Sequence, residues 1–123
     1  MTIGELTILA EATVCASRRK LPKALQSLAE ALPVVYHDRP GDEILGDEFD
    51  PEILGMFVGS PFGLDSADSG GVPPHILLFL ENIWDLADAD RDEFIHEVKL
   101  TYLHELGHYL GWDEAEVAAR GLE

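Results

Sequence analysis

The sequence predicts an α+β fold: a small mixed β-sheet packed against one long helix, with helices before the sheet and a short helix after it. Three observations predict it. Apolar residues recur at helical spacing over residues 5–20 and 91–110. The run Ile76-Leu77-Leu78-Phe79-Leu80 is apolar without alternation, as in a strand buried on both faces. Segments rich in glycine, proline and acids separate these elements. At 123 residues the chain suits one domain, 1–123.

The elements follow in order. From Glu5 to Lys20, the residues Leu6, Leu9, Ala10, Thr13, Val14 and Ala16 recur near helical spacing. Cys15, the only cysteine, is placed on the inward side of this helix, as core rather than nucleophile. Arg18, Arg19 and Lys20 stand at the helix end, where the dipole favours cations. With Lys23 they are half of the 8 basic residues. A capped helix end explains them; a docking site for an acidic partner is the alternative. Pro22 suits the start of a second helix carrying Leu25, Leu28, Ala29 and Leu32. Val34 to Tyr36 reads as a short strand.

Residues 38–52 hold seven acids and two prolines and read as an exposed connection. Ile53 to Gly59 is the second strand, and its glycines suit an edge or a bulge. Ser60 to Pro74 is loop by composition and long enough to be functional. The strand at 76–80 is expected at the centre of the sheet. A short helical turn is expected over Asn82 to Ala89. Asp90 and Glu93 are spaced as a capping box for the long helix, which Gly111 ends. A last helix is expected over Asp113 to Arg120.

Composition excludes several functions. Hydrophobic residues make up 46% and mean hydropathy is +0.02, so the chain is not of a disordered class. Acids number 24 against 8 bases, for a formal charge of −16. That argues against nucleic acid or an anionic membrane as main partner. A single cysteine excludes an internal disulfide and a cysteine-rich zinc cluster. No apolar run reaches the ~18 residues of a membrane span, and the N-terminus lacks the pattern of a signal peptide. A cytoplasmic monomer is the expectation.

Residues 104–114 carry the chemistry: His-Glu-Leu-Gly-His-Tyr-Leu-Gly-Trp-Asp-Glu. Positions i and i+4 share one helical face, so His104 and His108 can direct two imidazoles at one Zn²⁺. Glu105 is turned about 100° from His104 and is placed to act as general base on a water. Gly111 lets the chain turn back, and Glu114, ten residues after His104, can supply a carboxylate third ligand. Asp113 is its competitor. Two histidines and a carboxylate leave a fourth position for water, the layout of a catalytic zinc site. By chance, H-E-x-x-H would occur in such a chain with a probability of about 0.02, and the pattern extended by Gly and an acid at roughly 4 in 10,000.

The run H-E-x-x-H-x-x-G-x-x-E resembles a zincin signature of the extended metzincin type. The stretch EVKLTYLHELGHYLGWDEAEV resembles the minimal zincins, small bacterial zinc metallopeptidases with a matrix-metalloprotease-like core. LGMFVGSPF and PPHILLFLENIWDLA fit the strand–loop–strand pattern of that family. The resemblance implies a zincin-like fold and Zn²⁺ as cofactor. It assigns His104 and His108 as zinc ligands, Glu105 as catalytic acid/base and Gly111 as the turn. Glu114 falls at the third-ligand position, where His or Asp is usual. Full metzincins carry a methionine turn downstream of that ligand. Here the methionines are Met1 and Met56, so the floor beneath the metal is expected to come from elsewhere or to be missing.

The expected activity is zinc-dependent hydrolysis of peptide bonds. The alternatives are hydrolysis of a non-peptide amide and a metal-binding or interaction protein with little turnover. Tyr109, His75 and His37 are chemically able to support an oxyanion, although packing roles explain them as well. The strand at 54–59 is the candidate edge for an extended peptide, with the 60–74 loop beside it. Net charge predicts a preference for neutral or basic peptides. Asp88, Asp90 and Asp92 resemble the start of an EF-hand loop, but Glu93 replaces its glycine and Lys99 its bidentate Glu, so they are assigned to capping. Ser17-x-x-Lys20 is set aside as a chance pattern.

Overall fold

The computed structural model describes residues 1–41, 52–59 and 73–111. Among these it contains four helices and three strands: α1 (Ile3–Arg19), α2 (Lys23–Glu30), β1 (Val34–His37), β2 (Gly55–Val58), β3 (His75–Phe79), α3 (Leu80–Leu86) and α4 (Arg91–Tyr109). The expected loop at 60–72, the acidic stretch 42–51 and the helix at 113–120 lie outside the described residues.

The strands form a mixed sheet of order β1-β3-β2. β1 pairs with β3 in parallel, with Val34 opposite Ile76 and His37 opposite Phe79. β2 pairs with β3 antiparallel, with Gly55 opposite Leu78 and Val58 opposite His75. The central place of β3 explains its composition: Ile76, Leu77, Leu78 and Phe79 are all buried. Parallel strands with both faces covered need such continuous apolar runs. β2 is an edge among the described residues, as its glycines suggest.

α4 crosses the sheet, touching β2 and β3, and also packs on α1 and α3. Phe94, Val98, Tyr102 and Leu106, four residues apart, are fully buried. They meet Leu6, Ala10 and Val14 of α1, Ile76 and Leu78 of β3, and Leu80 and Ile83 of α3. Burial of each large side chain contributes about 1.5–3 kcal/mol. Trp84 packs edge-on against Phe94, with ring centroids 5.6 Å apart. No helix among the described residues is long and apolar enough to cross a membrane.

Several boundaries differ from expectation. α1 begins at Ile3 because Thr2 and Glu5 close a reciprocal capping box. β2 is shorter than 53–59, and β3 ends at Phe79, so that Leu80 opens a helix instead of ending a strand. Asp90 accepts from the Glu93 amide at 3.1 Å and caps α4, as its sequence position predicts. Cys15 corrects a placement: it is exposed, not inward. The buried face of α1 runs through Leu6, Ala10, Thr13, Val14 and Ser17. Cys15 is turned about 100° beyond Val14, off that face. Ala16 is exposed for the same reason.

One basic residue at the end of α1 turns inward. Arg18 donates to the Tyr102 hydroxyl at 3.1 Å and to the Leu32 carbonyl at 3.0 Å, tying α1 to α4 and to the end of α2. Arg39 donates to Asn82 and Asp85 and holds the start of the 38–52 connection to α3.

Candidate metal centre

The last two turns of α4 carry the motif. His104 and His108 stand one turn apart, and their Nε2 atoms approach to 3.0 Å. The rings meet edge to face, with planes at 88° and centroids 4.6 Å apart. Imidazole nitrogens sharing one tetrahedral zinc stand about 3.3 Å apart. The pair therefore fits a common ion after a slight opening. His108 is exposed and His104 half-buried, so the pair faces outward at its edge.

Glu105 is buried, at 8% exposure. Its carboxylate and the two imidazoles offer ligand atoms that all lie within 4.8 Å of one another. That spacing allows one intervening water. Burial raises the proton affinity of Glu105 above that of an ordinary carboxyl, and His108 and His104 oppose the shift.

The helix ends just after the motif. The Leu110 amide bonds the Leu106 carbonyl, and the Gly111 amide bonds that of His108 at 3.0 Å. Gly111 has φ +78°, the left-handed conformation that glycine adopts without strain. The sharp exit read from the sequence is present. Glu114, Asp113 and Trp112 lie outside the described residues.

Glu105 and His108 line a cleft of about 530 Å³ whose other wall is β2 and its flanks: Ile53, Gly55, Met56, Phe57 and Gly59. Close approach makes this wall. A Cβ on Gly55 would stand 2.8 Å from the Leu77 carbonyl oxygen and 2.9 Å from the Thr101 methyl. Phe57 packs on Tyr109 of α4, with centroids 5.6 Å apart. Of the two methionines, Met56 is the one beside Glu105 and His108.

The oxyanion candidates separate from the cleft. His37 lies on β1, across β3 from β2, and its ring is 6.2 Å from that of Phe79. A ring nitrogen of His75 is 2.9 Å from the Pro73 carbonyl. Tyr109 is buried against Phe57. None of the three lines the cleft among the described residues. The residues that sequence reasoning missed are Gly55, Met56, Phe57 and Thr101. A glycine inside an apolar strand signals close approach of another backbone or element, which was the available clue to Gly55.

A second group, Glu93, His96 and Glu97, gathers nearer the start of α4. All three are exposed or half-exposed, as on a solvated helix face. No curated protein matches the chain. A family model described as zincin-like metallopeptidase matches residues 29–122, which include the whole sheet, α3, α4 and the motif. The chain belongs to the zincin-like metallopeptidase family.

Proposed function

We propose that this protein hydrolyses peptide bonds as a zinc-dependent metallopeptidase. The observation that carries the reading is the meeting of His104, His108 and the buried Glu105 at a cleft beside an edge strand. His104 and His108 would hold zinc through Nε2. Glu114 is the third ligand in this reading, with Asp113 as the competing carboxylate. Bound zinc would polarise the scissile carbonyl and acidify water towards a pKa of about 7.

Glu105 takes the proton of the attacking water on a carboxylate oxygen and delivers it to the leaving amine. Its burial favours the protonated form, and so helps it hold that proton between the two transfers. β2 offers its outer edge to an extended peptide by main-chain pairing. Ile53, Met56 and Phe57 give the cleft an apolar wall against which a substrate side chain would pack. The net charge of −16 favours neutral or basic peptides.

The test pairs metal content with turnover of a peptide library. The reading expects one zinc per chain, and cleavage abolished in Glu105→Gln while zinc stays bound. Zinc binding without cleavage in the wild type would leave a metal-binding protein of the same fold. Cleavage of small amides but not peptides would move the substrate to another class of amide.

A further inference from the structure

We propose that the groove between α1 and α4 docks an acidic, helix-forming segment of a partner protein. The groove measures about 300 Å³. Leu9, Ala12 and Ile95 give it apolar lining beside Thr13 and Ser17, and Lys20, Arg91 and Lys99 line it as well. Three of the chain's 8 Lys and Arg therefore converge on one groove. No carboxylate lines it among the described residues, although acids outnumber bases 24 to 8.

The three cations differ from the arginines used in folding. Arg18 is bound by Tyr102 and Leu32, and Arg39 by Asn82 and Asp85. No side-chain hydrogen bond or ion pair with a described residue engages Lys20, Arg91 or Lys99. The hydroxyls on the groove wall are satisfied internally: Thr13 donates to the Leu9 carbonyl and Ser17 to that of Thr13, each at 2.8 Å. Among the described residues, the groove presents apolar lining and positive charge without a side-chain partner.

Charge and shape select the occupant. An acidic segment pairs with the three cations, and its apolar side covers the apolar lining. Ile8, 70% exposed and one turn before Ala12, extends the apolar stripe along α1. From Ile8 to Lys20 the stripe spans about 18 Å, or three helical turns. A groove between two helices accepts a third by interlocking side-chain ridges. A second copy of this chain would bring its whole charge of −16, and an anionic bilayer a broad sheet of charge, against a protein of the same sign, whereas a short acidic segment meets mainly the three cations within a screening length. Arg91, Ile95 and Lys99 lie in the N-terminal half of α4, whereas Glu105 and His108 lie near its C-terminus. The docking surface is separate from the cleft and does not rest on the peptidase reading.

The experiment titrates the isotope-labelled full chain with a synthetic amphipathic peptide of about four turns, leucine on one face and glutamate elsewhere. At low salt, amide shifts are expected at Ala12, Ala16, Ile95 and Lys99. Affinity should fall about tenfold in Arg91→Glu/Lys99→Glu and remain unchanged in His108→Ala. If the charge reversal disturbs folding, Arg91→Gln/Lys99→Gln replaces it, with a smaller loss expected. No binding, binding indifferent to these substitutions, or shifts confined to the cleft would overturn the proposal. So would wild-type self-association abolished by the same substitutions, or binding to anionic vesicles in place of the peptide.

Discussion

Gly55 of β2 and Thr101 of α4 are in such close contact that a single methyl group at position 55 would collide with the threonine methyl at 2.9 Å. The contact lies three residues before His104, one turn down the same helix. It sets how near the turn that carries His104 stands to β2. Gly55→Ala should lower stability by about 1–3 kcal/mol, since well-packed sites yield little. Thr101→Ala should restore only part of the loss, because the Leu77 carbonyl oxygen, 2.8 Å from the added atom, is backbone. Denaturant melts of the two single variants and the double variant measure this coupling.

The third-ligand assignment separates two neighbours. Glu114→Gln should weaken zinc binding by one to two orders of magnitude, and Asp113→Asn should leave it nearly unchanged. Zinc titration against a competing chelator reads both. Reversed sensitivities would place Asp113 in the shell. Zinc at about 100 times its Kd should raise wild-type stability by about 2.7 kcal/mol. His108→Ala should lose that increment.

Glu105 is held in a site that disfavours its charge. Burial disfavours the carboxylate, and without metal the two imidazoles compensate only in part. Metal-free Glu105→Gln should therefore melt at a higher temperature than the metal-free wild type at neutral pH. Below the ordinary carboxyl pKa, where Glu105 is protonated in both states, the difference should shrink. Calorimetry of metal-free samples at two pH values tests the sign.

Alkaline pH should loosen the packing around Tyr36, whose phenol is near Glu11 and Arg18 of α1. Burial pushes the Tyr36 phenol up to about 12 from 10.0, with Glu11 adding to the shift and Arg18 opposing it. Burial raises Tyr102 as well, against the Arg18 hydrogen bond. The folded chain favours the neutral phenols, and the Tyr36 contribution is complete below pH 10 and disappears as pH rises through about 12. Tyr36→Phe should flatten the fall in stability over that window. An unchanged slope would count against a buried Tyr36 phenol.

The local pattern determined a large part of this protein. Thr2, Asp90 and Gly111 act through hydrogen bonds and dihedrals within a few residues, so their roles as caps and turn follow from short-range rules. The three-residue spacing of Thr2 to Glu5 is itself a capping-box signature. The four-residue rhythm of Phe94, Val98, Tyr102 and Leu106 reported which side of α4 is buried. The i, i+4 spacing of His104 and His108 placed two imidazoles together, because helix geometry alone sets that distance. The continuous apolar run of β3 announced its central position.

Tertiary structure alone decided the rest. Cys15 faces outward because the position of α2, α3 and α4 selects which arc of α1 is covered, and periodicity near the edge of that arc is ambiguous. Met56 stands beside Glu105, 49 positions later in the chain, because β2 pairs antiparallel with β3 and α4 crosses both. Lys20, Arg91 and Lys99 meet at one groove because α1 packs on α4. Spacing rules reach only as far as one helix or one strand. Juxtapositions between elements are fixed by how their buried faces fit together, and no single segment encodes that fit.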